Sequence, residues 1–347
     1  MKMNPLGRTG IMVSDLCLGT MTFSTQTPAE DAHRQIDMAL DHGVNFVDTA
    51  EMYPTNPLSK DTAGNTEKVI GDWIETSGRR NEVVLATKHA GEGYMGIREG
   101  APISAATIVE TVEGNLRRLK TDYIDLYQFH WPNRGSYMFR QNWTFDPTKQ
   151  NKDEALANMG ECLVELQKLV DQGKIRAFGL SNESAWGTAQ WLRISEEREL
   201  PRVASIQNEY SLLCRLYDTD LAELGHNEDV GLMAFSPLAT GFLTGKYQGD
   251  AMPEASRMTF GEKMGGRNTA RVRPAAAAYL EIAKLHGIDP VHMALAFCTS
   301  RPFVATAIFG ATTLQQLTHI LEGRDVVLGD EVLADIDQTH RAHPMPF

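Results

Sequence analysis

Short apolar runs alternate with longer segments in which apolar residues recur every three or four positions. The runs at residues 16–20, 45–48, 83–88, 123–130, 175–182, 203–208, 232–237 and 304–310 are strand candidates. Several are continuously apolar rather than alternating, as in Val83-Val84-Leu85-Ala86. Parallel strands covered on both faces carry that pattern. Between them, Ile108, Val112, Leu116 and Leu119 form one helical stripe, and Leu156, Met159, Leu163, Leu166 and Val170 another. Ser104 and Thr66 stand where N-caps belong, and Gly43, Gly78 and Gly173 stand where helices should end.

Eight strand–helix units predict an α/β fold, a (β/α)8 TIM barrel forming one domain over residues 1–347. A doubly wound sheet is the other arrangement, but it needs a glycine fingerprint opening a helix at a switch point. Gly91-Glu92-Gly93-Tyr94-Met95-Gly96 fits GxGxxG in letters only, because Pro102 and polar residues separate it from the helix that starts near Ser104. Residues 241–246 resemble a phosphate loop but are one residue short, and Tyr247 replaces its Ser/Thr. Three segments, 54–65, 131–152 and 247–273, exceed what a minimal barrel needs. Each follows a strand's C-terminal end, the face where barrel active sites lie.

Composition narrows the function classes. A net charge of −12 on 347 residues argues against a nucleic-acid surface. Cys17, Cys162, Cys214 and Cys298 form no CxxC pair, so reduced thiols in a cytoplasmic protein are expected, with neither a zinc site nor a disulfide framework. No apolar leader opens the chain, and no apolar run approaches the roughly 18 residues of a membrane span. The sequence carries no signal for an oligomeric state.

Polar residues at strand ends carry the chemistry. Asp48 ends the second strand, Tyr53 follows it, Lys88 ends the third and His130 the fourth. A closed barrel brings consecutive strand ends to one mouth. Tyrosine, with an ordinary pKa of about 10, is a poor proton donor near neutrality. A neighbouring lysine cation favours its phenolate, and an aspartate holds that lysine charged. A histidine beside them orients a carbonyl oxygen. The set forms a proton-donating oxyanion site that lacks only a hydride source. A metal-dependent barrel hydrolase needs clustered His and carboxylate ligands. His130 has only His89 beside it at a strand end, so no metal is expected.

With these residues in place, the chain resembles the aldo-keto reductases over nearly its whole length. The matching stretches are Leu18-Gly19-Thr20-Met21, NFVDTAEMY at 45–53, Thr87-Lys88, LKTDYIDLYQFH at 119–130, GKIRAFGLSN at 173–182, Gln207-Asn208, FSPL at 235–238, and 310–317. AEMYP, QNEYSLL and GFLTGKY resemble the Tas-like and potassium-channel β-subunit-like branch. The resemblance implies a catalytic tetrad of Asp48, Tyr53, Lys88 and His130, with Tyr53 the general acid in reducing a small aldehyde or ketone. It implies a nicotinamide held by Ser181, Asn182 and Gln207 under an aromatic ring, Tyr210 or Phe235, of which Phe235 fits the branch better. It implies a pyrophosphate along Ser236, Leu238 and Gly241, with charge from Lys246 and Arg257, and contacts from Thr20 and Met21. The adenosine 2′-phosphate would lie near Gly310, Thr312 and Gln316. NADPH is the expected cofactor and NADH the alternative.

Two positions depart from the family pattern. Relatives often carry Arg or Lys just after the glycine where Thr312 and Thr313 stand, and an adenine-reading Asn where Ile320 stands. Both weigh against NADPH. Trp131, Met138, Phe139 and Trp143 are candidates for an apolar substrate pocket. The competing class is a regulatory protein that holds the cofactor as a redox sensor with slow turnover, as the channel-subunit-like branch implies.

Overall fold

A computed structural model describes residues 1–249 and 251–347. An antiparallel hairpin, β1 (Met3–Pro5) and β2 (Met12–Ser14), comes first. The next eight strands are β3 (Leu16–Gly19), β4 (Phe46–Asp48), β5 (Val84–His89), β6 (Ile124–Phe129), β7 (Ile175–Ser181), β8 (Val203–Glu209), β9 (Gly231–Phe235) and β10 (Val304–Phe309). They are all parallel and close into a barrel, with β10 pairing back onto β3. The predicted spans fall on these strands, with ends shifted by at most two residues.

The surrounding helices are α1 (Ala29–Asp41), α2 (Asn65–Ser77), α3 (Ala105–Leu119), α4 (Lys152–Asp171), α5 (Ala185–Glu197) and α6 (Asp220–Asn227). They continue with α7 (Arg257–Phe260), α8 (Val272–Leu285), α9 (Pro290–Ser300), α10 (Leu314–Glu322) and α11 (Asp330–Ala342). None among the described residues is long and apolar enough to cross a membrane. Ser104 caps α3 in a capping box with Thr107, as its position predicts. Thr66 does not cap α2. The helix already begins at Asn65 behind Gly64, and the Thr66 hydroxyl donates to the Phe23 carbonyl at 3.1 Å. Gly78 closes α2 in the left-handed region, and Gly43 and Gly173 adopt positive φ just past α1 and α4.

Two apolar layers hold the fold. Outward-facing strand residues such as Leu85, Tyr127 and Phe178 pack against the helical stripes in a core that includes Ile108, Val112, Leu163 and Leu166. Inside the barrel, Cys17, Phe46, Ala86, Leu126, Ala177, Ala204, Met233 and Ile308 cluster with Leu6, Ile11 and Val13. The hairpin therefore plugs the barrel's N-terminal end. Gly7 at its turn has φ +56°, and a Cβ there would meet the Ala204 carbonyl oxygen at 2.6 Å, so only glycine seats the plug. All four cysteines are free and buried.

Candidate active site

Side chains alternate along a strand, so the residue two beyond an interior position also faces inward. Asp48, Lys88 and Gln128 lie two residues past the apolar plug positions Phe46, Ala86 and Leu126. They meet at the C-terminal mouth. The Lys88 ammonium donates to Asp48 Oδ2 at 2.5 Å, to the Thr49 carbonyl at 2.8 Å and to Tyr53 Oη at 3.4 Å. An ammonium has three donors, and all three are used. The Tyr53 oxygen accepts from Lys88, which leaves its own proton free to point outward. Asp48 Oδ1 accepts from Gln128 Nε2 at 3.1 Å and Gln207 Nε2 at 2.9 Å, so a buried carboxylate is satisfied on both oxygens.

The electrostatics follow from this packing. Burial works against the Lys88 charge, but Asp48 and the Tyr53 oxygen reverse that and hold its pKa above the ordinary lysine value. Burial raises the Tyr53 pKa, and the opposing pull of Lys88 does not cancel it. The lysine acts in the expected direction, yet the net shift of tyrosine is upward rather than downward. His130 is pushed well below the ordinary histidine range, by burial first and then by the Lys88 cation, and is neutral. Its ring centroid lies 5.9 Å from that of Tyr53, and the planes cross at 72°.

The loop that carries Tyr53 is fastened by a residue the sequence reading passed over. Glu51 accepts from Arg98 Nη1 at 2.6 Å, from Arg98 Nη2 at 2.8 Å and from the Ala90 N–H at 2.6 Å. Gln128 was also missed, although its place two residues before His130 signals an inward side chain. A third cluster ties the long loops to the end of β8. Arg140 Nη1 donates to Glu209 at 2.7 Å and Arg267 Nε at 2.6 Å. The two guanidiniums hold Glu209 below the usual carboxylate range in spite of its burial.

Residues expected to hold a cofactor line the same face. Asn182 Nδ2 donates to the His130 carbonyl at 2.9 Å, while its buried Oδ1 has no partner among the described residues. Ser181 Oγ donates to the Gln207 carbonyl at 2.8 Å. An orphaned amide oxygen beside a hydroxyl and a glutamine fits the carboxamide of a nicotinamide. Phe235 is half-buried at the end of β9. Tyr210 is instead a core residue, stacked on Phe297 at 5.9 Å with its hydroxyl donating to Asp218. Past β9, Ser236, Ala239, Thr240 and Gly241 all take positive φ, a concave backbone of the anion-binding kind. Leu238 lies inside that turn and is partly buried. A Cβ at Gly241 would meet Lys246 Cε at 2.6 Å, so glycine lets the exposed lysine fold over the turn. Arg257 Nη1 sits 3.7 Å from Met21 Sδ and pairs with no carboxylate among the described residues. Burial lowers its pKa to about 10, and Arg267 adds to that. Thr20 Oγ1 donates to the Asp48 carbonyl at 2.9 Å. Beyond β10, Gly310 and Gln316 are exposed, and Thr312 donates to Gln316 Oε1 through both N–H (2.9 Å) and hydroxyl (3.1 Å). Thr313 caps α10, its hydroxyl accepting from the Gln316 N–H at 3.2 Å. Ile320 is buried in the core. Of the apolar pocket candidates, Met138 and Phe139 line a cavity of about 20 Å³ with Tyr137, Arg140, Asn182 and Asn208. Trp131 packs on His130 and Phe139. Trp143 is instead exposed under the Arg271 guanidinium.

A closed parallel barrel with a Lys–Asp–Tyr–His cluster at its mouth defines a barrel oxidoreductase. The profile of the aldo/keto reductase family matches residues 15–341, and the chain belongs to that family. It is 39% identical to Protein tas of Escherichia coli K12 over 352 aligned positions, covering 100% of this chain and 99% of that one. It is 31% identical to the uncharacterized oxidoreductase YrpG of Bacillus subtilis, over 94% of this chain and 92% of that one. It is 29% identical to a probable voltage-gated potassium channel subunit beta of Arabidopsis thaliana, over 99% of this chain and 98% of that one. The family uses nicotinamide cofactors in oxidoreduction and acts on small carbonyl substrates.

Proposed function

We propose that this chain, acting as a single barrel domain in the cytoplasm, reduces aldehydes or ketones to alcohols with NADPH. Tyr53 is the general acid. Buried free cysteines suit a reducing compartment. The observation that carries the reading is the Lys88 ammonium, bonded at once to Asp48 Oδ2 and Tyr53 Oη. The bound cofactor supplies the hydride. The protein's own residues supply the rest. Lys88 fixes the Tyr53 oxygen as an acceptor, so the phenolic proton faces the substrate oxygen. Neutral His130 donates an N–H to the same oxygen and orients the carbonyl. As negative charge builds there, Tyr53 releases its proton to it, and the Lys88 cation stabilises the phenolate left behind. Asp48, with Gln128 and Gln207, keeps that cation charged and in place. Arg257, Lys246 and the turn at 236–241 hold the cofactor's phosphates.

The test is Tyr53→Phe, which removes a hydroxyl and keeps the ring. Single-turnover reduction of a reactive aldehyde should slow by about 10²–10⁴-fold, the usual worth of general acid catalysis. NADPH affinity, measured by fluorescence, should not change. Near-normal hydride transfer in the variant would remove Tyr53 from the mechanism. Wild-type protein that binds NADPH but passes no hydride to any aldehyde would make it a sensor instead.

A further inference from the structure

We propose that Asp289, His292 and His319 form a binding site for a divalent transition metal of the Zn²⁺ class, joining the start of α9 to the end of α10. One ligand atom from each residue lies within 4.8 Å of the other two. The trio lies on helices, apart from the strand-end tetrad and the cofactor-facing residues.

Asp289 and His292 each have their other polar atom engaged by the protein. Asp289 caps α9 with Oδ1, which accepts from the N–H groups of Val291 (2.8 Å) and His292 (3.2 Å). Its Oδ2 lies 3.3 Å from His319 Nε2. His292 Nε2 is 2.6 Å from the His319 carbonyl oxygen, which can only accept. That nitrogen therefore carries the proton, and Nδ1 presents its lone pair. Metal-binding imidazoles donate their other N–H to a carbonyl or carboxylate in this manner. His319 faces Asp289 Oδ2 with its Nε2 at 3.3 Å, and its Nδ1 lies 3.8 Å from Glu322 Oε2, beyond hydrogen-bond distance.

The backbone makes room for the trio. The two imidazole centroids are 4.8 Å apart. A Cβ at Gly323 would stand 2.2 Å from His292 Cδ2 and 2.3 Å from Cγ, so glycine alone lets that ring close on the end of α10. Two imidazole nitrogens and one carboxylate oxygen suit Zn²⁺ or Co²⁺, with water completing a tetrahedron. Asp289 and His319 keep 34% and 43% of their side-chain surface, so an ion reaches them from solvent. Metal bonds of about 2.0–2.2 Å require ligand atoms that now lie within 4.8 Å of one another to draw together by side-chain rotation.

The full chain, free of any polyhistidine tag, is titrated with Co²⁺ and followed by its visible ligand-field absorption. Zn²⁺ is then added in competition. One equivalent of Co²⁺ should bind, Zn²⁺ should displace it, and Zn²⁺ should raise the Tm. Asp289→Asn keeps the helix cap but removes the carboxylate charge, and His319→Ala removes a nitrogen donor. Each should weaken Co²⁺ binding by more than about tenfold, the scale of losses seen even for residues behind the ligands. Absence of Co²⁺ absorption in the wild type, or wild-type affinity in both variants, overturns the site.

Discussion

At its N-terminal end the barrel interior holds Cys17, Phe46, Ala86, Leu126 and Met233 packed on Leu6 and Ile11 of the plug. Two residues further along the same strands stand Gly19, Asp48, Lys88, Gln128 and Phe235. One short strand thus serves two ends with opposite chemistry. Phe46 helps to close the bottom against water, and Asp48 anchors a charge at the top. The apolar layer lies beneath the charged one. In low dielectric the ammonium–carboxylate attraction is strong, and desolvation is offset only because both oxygens of Asp48 and all three Lys88 donors find partners. Stability is assigned to one layer and chemistry to the next.

The largest effect expected of any single change lies in the charged layer. Lys88→Met leaves Asp48 buried with two amide donors and no cation. Breaking a buried pair costs about 3–5 kcal/mol, and the rate should fall by at least as much as in Tyr53→Phe because the phenolate loses its stabiliser. Urea unfolding and single-turnover kinetics on the same preparation check both. A variant that keeps its hydride-transfer rate would show that the pair is structural only.

Phe46→Ala, one layer down, separates the two roles. Removing a buried phenyl costs about 3–5 kcal/mol of stability. At a temperature where the variant stays folded, its single-turnover rate should match the wild type. A rate loss on the scale of Tyr53→Phe would mean that the layers are mechanically one.

The fold was legible because its signals are local and repeated. Val83-Val84-Leu85-Ala86 reads as a two-sided buried strand whatever surrounds it, and α1, α2 and α4 end where Gly43, Gly78 and Gly173 say. The hairpin escaped because strands of three residues show no period, and Leu6 and Ile11 look like isolated apolar residues until the barrel closes over them. The clustering of Asp48, Tyr53, Lys88 and His130 was legible because each ends or follows a strand. Its supports were not. Glu51 meets Arg98 across a loop of unpatterned sequence, and Glu209 is reached by arginines from two different loops. The Asp289–His292–His319 cluster was hidden for the same reason, because its members come together from two helices with no shared spacing in the sequence.

Adjacent residues on β5 also contrast. Lys88 faces into the barrel and stays charged. His89 faces outward against Tyr127 and Phe129, and burial pushes its pKa down to about 4, with nearby Glu51 offsetting this only in part. His89 is neutral in the folded chain, whereas the unfolded chain protonates it below about 6.5. Its share of stability is therefore complete above pH of about 6.5 and is lost as pH falls toward about 4, at roughly 1.4 kcal/mol per unit, or about 3 kcal/mol in all. Urea midpoints measured across that window should fall less steeply in His89→Gln than in the wild type. Parallel curves would assign the acid limb to other groups.

The smallest effect tests how the mouth treats the far end of the cofactor. Thr312 and Gln316 bond to one another at the start of α10, and no cationic side chain stands at positions 310–316. Arg257, near Met21, has no carboxylate partner among the described residues, so its charge is free for a phosphate. Wild-type protein should therefore bind NADPH more tightly than NADH, but by a modest ratio. Thr312→Arg adds a guanidinium on a partly exposed turn next to the expected 2′-phosphate. An exposed ion pair is worth about 0.2–1 kcal/mol. The variant should gain a few-fold in NADPH affinity and nothing in NADH affinity, measured by fluorescence titration of both cofactors at low and high salt. The gain should shrink at high salt, because the new pair is screened. An equal gain for both cofactors would place the guanidinium on the pyrophosphate instead. No gain for either would move the 2′-phosphate away from the turn at 310–313.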